Sequence, residues 1–600
     1  MSRRRDGTLL SVVAITLFAI VVRVVGLGDR VAHWDEGRVA YWILDYGATG
    51  VIFYRPIVHG PLVQLVNAPI VDALGATDGV IRLFPAVVGG LLPLSALLFR
   101  HRLRDEAVLS LAALLALNPV LVYYSRFMRS DILTGAFAFV AFALLVRAID
   151  FRDRRYLYPA ALFLALSFGA KENALAYLLA WIGATVLLVD HRLFVARGLP
   201  DPWRRRLART ARRSRNALRT ISEGGRDALA DGVRRGGARL RRPVATAGVV
   251  ATSFFLPLVY VYAPRGSLPS QSLYYNSCAG YDGYFDVAAA PTLGEAVANP
   301  LYFPRLFAFT VGSTAELYAC QWITPRTEDP NPYLEFLAGM ASVTVETSWP
   351  IVALAVIAFV VTRYRADLPD DLVAFTFYWG AASLVGYPFI TDIGGAVWLL
   401  VHVVLPLTIP AAVTLGWLLA ALREGIASGN VVDAVIAGFV VLVLVGSMAG
   451  TVYATSFQNT HSHENPLVQY AQPGSEDLRE TLEEMEQLSG GGGVDVLLYG
   501  DELTGPTGGE LDYRPNCSDW FTALPLPWYF EANDAVVDCA TDEEELDAAA
   551  DDRPPVVIVG EDDRAATDEQ FADYRTETHL IRSFDTPVVF YVDDDRLEEN

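Results

Sequence analysis

Lysine is almost absent from this 600-residue chain: of its 47 basic residues, Lys171 is the single lysine and all the others are arginine. An arginine bias of this kind points to GC-rich coding or salt adaptation, and it sets Lys171 apart because an ammonium and a guanidinium are not interchangeable. Cysteine is scarce too, with only Cys278, Cys320, Cys517 and Cys539, none in a CxxC pair, which argues against a structural zinc site. No ATP-binding motif is present, so the sequence supplies nothing to power active transport. Tyr499-Gly500-Asp501-Glu502 is not a Gly-rich phosphate loop, and Gly490 to Gly493 reads as a flexible turn. The chain is not a nucleic-acid binder: its formal charge is −21, and its one basic segment lies between apolar runs, where anionic lipid is the simpler partner.

Apolar residues, by contrast, make up 53% of the chain and recur in runs near the ~20 residues that span a bilayer. Eleven runs qualify: 8–28, 80–100, 106–124, 131–149, 156–170, 173–189, 244–263, 349–362, 371–390, 396–421 and 431–453. The N-terminal run is long and lacks a small-residue cleavage site, so it reads as an uncleaved first span. The fold class expected is a polytopic α-helical membrane protein of about eleven transmembrane helices. Arginines cluster at 3–5, 102–104, 152–155, 191–243, 363–365 and 423, which alternation of eleven spans places on one face. Basic loops stay cytoplasmic, so the N-terminus is expected inside. The opposite, extracytoplasmic face then receives the first loop 29–79, the long loop 264–348 and the C-terminal segment. A single helix across Lys171 is the competing topology, and it would reverse every later span.

All four cysteines fall on that outer face, where oxidising conditions favour the pairs Cys278 with Cys320 and Cys517 with Cys539; four free thiols are the alternative. After the module 1–453 and a linker 454–472 comes an acidic domain, 473–600. From Gln472 onward there are 35 acidic and 7 basic residues, a surface suited to solvation at high ionic strength, as in salt-loving archaea. Short strands at 494–499, 535–538, 555–559, 581 and 588–592 alternate with helices at 476–488, 542–550 and 566–574, the pattern of a small α/β domain.

The polar chemistry begins with His33-Trp34-Asp35-Glu36-Gly37, directly after the first span. Paired carboxylates at a membrane surface suit general-base or metal work, and adjacent residues do not share a helix face, so one of the two is expected to point into a site. The same loop carries Tyr54-Arg55-Pro56 and His59-Gly60-Pro61. A second cluster is Tyr124-Ser125-Arg126-Phe127-Met128-Arg129-Ser130-Asp131. On a helical turn Arg126 and Arg129 would share a face and clamp a phosphate, with Asp131 holding one of them; a plain ion-pair network is the competing reading. Lys171 supplies a third cation, with Glu172 as its expected partner. Charge at membrane depth is expensive and usually functional. His402 in the tenth span and His461-Ser462-His463-Glu464 after the last are further polar groups, each ambiguous between structure and ligation.

The Asp-Glu pair, the Arg-x-x-Arg-x-Asp cluster and the Lys-Glu turn resemble the GT-C membrane glycosyltransferases, especially protein O-mannosyltransferase and aminoarabinose-transferase relatives, over about the first 260 residues. His33 to Glu36, Tyr54 to Leu62 and Leu524-Pro525-Leu526-Pro527-Trp528-Tyr529 more closely resemble an archaeal family, the flippase activity-associated proteins of the Agl N-glycosylation pathway, over nearly the whole chain. The resemblance implies an outward-facing site for a polyprenyl (dolichyl) phosphate-linked sugar. Asp35 would be the base and Glu36 its support; Arg126, Arg129 and Lys171 would neutralise the phosphate; Asp131 and Glu172 would orient them. Arg55 and His59 would contact substrate, His59 alternatively a metal, and a divalent cation is the one cofactor left open. The Trp-Trp-Asp-Tyr-Gly signature of oligosaccharyltransferases is missing, which speaks against en bloc transfer to asparagine. Two functions follow: sugar transfer from dolichyl phosphate to a lipid-linked glycan or protein acceptor, or noncatalytic assistance to translocation of the lipid-linked sugar.

Overall fold

The computed structural model describes residues 2–54, 60–194, 226–266, 291–322, 332–364, 371–389, 395–462, 464–468, 472–473, 478–490, 492–505, 517–520, 522–582 and 586–599. Among them, eight helical segments are long and apolar enough to cross a membrane: Gly7–Val24, Ser130–Phe151, Glu172–Asp190, Val244–Tyr262, Tyr333–Tyr364, Asp371–Phe389, Val397–Ser428 and Val431–Gln458. The chain is thus a multi-pass helical membrane protein, with fewer full-length spans than the eleven expected.

The differences have local causes. The run 106–124 breaks by 50° between Asp105–Leu117 and Pro119–Ser125, where Asn118 caps the second helix and Pro119 occupies its first turn; counted as one, it makes a ninth span. The run 80–100 changes from α-helix to a 3-10 helix at Leu92–Phe99, with Pro93 in its first turn. The helix Leu157–Ala170 stops short because Lys171 turns to extended backbone (φ −158°, ψ 127°), and a 3-10 turn, Glu172–Ala174, leads into Leu175–Phe194. The chain on either side of Lys171 is therefore two helices. The segment expected as the loop 264–348 contains the helices Leu293–Ala298 and Phe303–Trp322 and the start of Tyr333–Tyr364, which kinks at Ser348 near Pro350.

Beyond the last helix lies a five-stranded sheet: β1 (Val496–Tyr499), β2 (Val537–Ala540), β3 (Val556–Gly560), β4 (Arg575–Arg582) and β5 (Thr586–Val592), in the order β2-β1-β3-β5-β4. β1 pairs parallel with β2 and β3, whereas β5 runs antiparallel to β3 and β4. β1 and β3 are apolar throughout and buried on both faces, as central parallel strands are. Alternation sorts their side chains: Leu497, Tyr499, Val557 and Val559 face one cluster with Leu546 and Phe571, while Val496, Leu498, Val556 and Ile558 face the core continuous with the helical module. Leu478, Leu482, Met485 and Leu488 bring the helix Leu478–Leu488 onto that second face at helical spacing. The helix expected at 566–574 is a single short turn, Arg564–Thr567.

Candidate functional site

The first loop is organised by a helix cap. His33 is the N-cap of the helix Trp34–Thr49: its Nδ1 accepts from the Asp35 backbone N–H at 2.9 Å, and Glu36 accepts from the His33 N–H at 3.0 Å, completing a capping box. Glu36 thereby turns inward and becomes the acceptor for a buried network. Arg82 donates to both of its oxygens (2.8 and 2.7 Å), Arg30 at 3.3 Å and the Met128 backbone N–H at 2.6 Å. Burial alone would raise the Glu36 carboxyl, but Arg82 and then Arg30 outweigh it and hold the group below the usual carboxylate range. With its oxygens so occupied, Glu36 fixes the backbone beside Asp35 and is not presented to a substrate. The capping geometry separates the two neighbours, as adjacent positions on a helix require.

Asp35 points the other way, into a chain of buried charges. Its Oδ2 lies 2.5 Å from Arg129 Nη1; Arg129 Nε is 3.3 Å from Asp131 Oδ2; Asp131 Oδ1 receives Lys171 Nζ at 3.0 Å and stands 3.3 Å from His402 Nε2. All five side chains are buried. His402 Nδ1 meets the Tyr177 hydroxyl at 2.5 Å, and its ring stacks on Tyr387. The Arg129 guanidinium lies 4.1 Å from the Trp398 ring centroid. Four helices contribute, and the break at Lys171 allows it to take part: an uninterrupted helix would not place that side chain at the start of a turn. The two carboxylates and two cations of this chain cancel in charge.

Several expected roles shift. Arg126 does not stand beside Arg129. The helix Pro119–Ser125 ends there, and Arg126 turns to the end of the first helix, donating to the carbonyls of Val22, Arg23, Val25 and Gly26. The shared face expected from i,i+3 spacing needs a helix through both residues, and none is present. Lys171 pairs with Asp131, forty residues away, not with its neighbour Glu172, whose side chain borders an apolar pocket with Phe168, Leu258, Tyr262 and Tyr318. Arg55, His59, Cys278, the Cys320 side chain and His463 lie outside the described residues. A Cβ on Gly60 would sit 2.3 Å from the Gly169 carbonyl oxygen, and the Gly60 N–H donates to the Ala170 carbonyl at 2.7 Å, so this glycine packs closely against the end of the helix Leu157–Ala170, beside Lys171. Cys517 and Cys539 form a disulfide. Among the described residues no three His, Cys, Asp or Glu side chains converge in a metal-binding group, and Glu36 is committed to arginines, so the Asp35-Glu36 pair does not fit a two-carboxylate metal site.

The C-terminal domain closes over the same loop. Tyr529 donates to Asp78 at 2.8 Å and accepts from the Ala32 backbone N–H at 2.8 Å, Trp528 donates to Asp78 at 3.0 Å, and Arg479 pairs with it at 2.7 Å. Burial and then the Asp78 charge push the Tyr529 hydroxyl well above its ordinary range, so it stays a donor. Pro525 packs against Gly37, where a Cβ would come within 2.8 Å. Sequence reasoning missed Arg30, Asp78, Arg82 and Tyr177. Arg82, a charge inside the apolar run 80–100, carried a usable signal, and Arg30 and Asp78, each two residues from the end of a run, a weaker one; Tyr177 carried none.

Two segments match known families. Residues 58–200 match dolichyl-phosphate-mannose-protein mannosyltransferase, and residues 478–593 match the Agl23 flippase-associated protein C-terminal domain. Among curated proteins none matches the sequence. Among solved structures, ArnT from Cupriavidus metallidurans bound to undecaprenyl phosphate is similar at a TM-score of 0.51 and 14% identity, covering 96% of this chain and 97% of that one. The Archaeoglobus fulgidus oligosaccharyltransferase in the apo form is similar at a TM-score of 0.46 and 12% identity, covering 96% of this chain and 75% of that one. The chain thus has an ArnT-like fold along its whole length, with a segment that matches the mannosyltransferase family and a C-terminal domain that matches the Agl23 flippase-associated one.

Proposed function

We propose that the protein transfers a sugar from a dolichyl-phosphate donor to a lipid-linked or protein acceptor on the extracytoplasmic face, with inversion. The observation that carries this reading is the buried chain Asp35–Arg129–Asp131–Lys171, two carboxylates and two cations within one cluster. Asp35 takes the proton of the acceptor group as its oxygen or nitrogen attacks the anomeric carbon; the bond from that carbon to the phosphate oxygen breaks, and the lipid phosphate leaves with the electron pair. Arg129 and Lys171 bear the charge that develops there. Because Arg129 already binds Asp35, an arriving phosphate competes for that guanidinium and releases the carboxylate to act as base. Asp131, holding both cations and touching His402, keeps them in place. Glu36 serves as the anchor of the loop, and Arg126 as a helix cap.

The match to ArnT, whose structure was solved with undecaprenyl phosphate, supports a polyprenyl phosphate as the lipid. In purified protein Asp35→Asn should abolish transfer from a dolichyl-phosphate sugar while retaining binding of the lipid. Equal transfer by variant and wild type would refute the mechanism. The flippase-associated character of residues 478–593 favours a second reading, noncatalytic assistance to translocation of the lipid-linked sugar. That reading predicts binding without transfer in the wild type itself.

A further inference from the structure

A second concentration of positive charge lies at the end of the first helix, apart from Arg129 and Lys171. Arg23, Arg30, Arg82 and Arg126 are all buried there, none more than 8% exposed. Among the described residues, Glu36 is the one buried carboxylate bonded to any of them, and it serves Arg82 and Arg30. Arg23 is held by the carbonyls of Ala19, Leu115 and Ala116, and Arg126 by those at the end of the first helix, which offer partial charge only. Asp29 stands close by, but on the exposed rim. Buried positive charge therefore exceeds buried negative charge, an arrangement that is costly unless a counter-charge enters.

The same place holds a cavity of about 40 Å³, bordered by Arg30, Arg82, Arg126, Tyr123, Ser456 and Thr460. At roughly 10–15 Å³ per water-sized group this is room for one tetrahedral oxyanion. Arg30 Nε, buried beside it, has no hydrogen-bond partner. The last long helix widens into a π-helical turn at Ala454–Gln458, a rare form that brings Ser456 to the cavity wall. Arg30 and the Ser456 and Thr460 hydroxyls supply donors at this cavity, and the buried Arg82 and Arg126, whose N–H groups serve Glu36 and backbone carbonyls, add the positive charge that suits a phosphate-type anion.

We propose that this cavity is an anion site for a phosphate-type oxyanion, supplied by free phosphate or by the headgroup of an anionic lipid, and distinct from the cluster around Asp35. The anion would tie the first loop, the helix Pro119–Ser125 and the turn after the last span into one unit. Because Arg30 and Arg82 also hold Glu36, its binding would stiffen the loop that carries Asp35.

The test is thermal unfolding of the full-length protein in phosphatidylcholine nanodiscs, at ionic strength fixed with gluconate, against rising inorganic phosphate. A saturable rise in Tm of about 2 °C or more is expected from ligand linkage, in the wild type and equally in Lys171→Met. It should be lost in the double variant Ser456→Ala with Thr460→Val, which retains every arginine and so the fold, and in Arg30→Gln. In a second arm, discs containing phosphatidic acid without free phosphate separate the sources: a rise there that depends on Ser456 and Thr460 identifies a lipid headgroup, and a rise with phosphate alone identifies the free ion. A rise lost in Lys171→Met but kept in the double variant would put the anion in the Asp35 cluster and overturn this assignment while supporting the transfer mechanism. No saturable rise with either probe would overturn it and leave the transfer mechanism untouched.

Discussion

Replacing Glu36 by Gln separates structural from chemical roles among the adjacent acids. The carboxylate accepts two hydrogen bonds from Arg82, one from Arg30 and two from backbone N–H groups of Met128 and His33, with none of its surface exposed. The amide keeps the shape but removes the charge and points an NH2 group at donors, leaving two guanidiniums buried without their counter-ion. Breaking a buried ion pair from one side costs about 3–5 kcal/mol, which for a chain of this size should lower the unfolding temperature by about 2–4 °C. Asp35→Asn should lower it less, because Arg129 retains Asp131. The sign of the pH dependence follows from the depressed Glu36 carboxyl: its contribution is fully present above the unfolded value of 4.5 and is lost only as pH falls through the lower folded value. The difference between wild type and Glu36→Gln should therefore be constant from about pH 5.5 to 8. Thermal scans of purified protein in detergent, with lipid-sugar transfer measured on the same samples, test both halves. A Glu36→Gln protein that unfolds at the wild-type temperature yet transfers no sugar would refute the reasoning and give Glu36 a chemical role.

Burial, the largest influence, pulls the His33 imidazole down from 6.5 to about 3, so between those values the unfolded chain binds a proton that the folded chain excludes. Stability should fall as pH falls through this window, by up to about 1.4 kcal/mol per pH unit; His33→Asn, which preserves a capping acceptor, should flatten that slope in unfolding measurements. Tyr529→Phe removes the hydroxyl shared by Asp78 and the Ala32 N–H, at about 1–3 kcal/mol. Hydrogen exchange at Ala32 should quicken and transfer should slow, and unchanged exchange would contradict the proposed tie between domain and loop. Cys539→Ser opens a disulfide across 22 residues, with an expected loss of about 3 kcal/mol confined to the sheet domain; limited proteolysis should cut that domain first, and equal cutting with and without the bond would count against it.

The sheet domain was largely legible because each strand is a short apolar run between turn residues, and the β1 and β3 runs are apolar on both faces. Lys171 and Asp131 were legible as charges in apolar surroundings, the same signal that marks Arg23, which went unused. Pairing was not legible. Periodicity relates residues three or four apart, whereas Lys171 meets Asp131 from another helix and Arg82 meets Glu36 from beyond the first loop. Arg126 and Arg129 show the limit clearly: their spacing implies a common face only if the helix continues, and its termination after Ser125 sends them to different partners. Helix length was overestimated where Asn118-Pro119 and Pro93 interrupt apolar runs that composition alone joins.

The bond from the Ala32 N–H to the Tyr529 hydroxyl spans 497 residues, and this separation bears on how the molecule is made. A ribosome adding about 5–20 residues per second needs on the order of 25–100 s between these two positions. Through that interval the helices can insert, but Asp78, the Ala32 N–H and the surface around Gly37 await partners not yet synthesised. The nascent chain therefore passes most of its synthesis with this loop unfinished. A message truncated after the last membrane helix would yield a protein that inserts but cannot complete the loop, which makes the terminal domain a checkpoint on full-length translation.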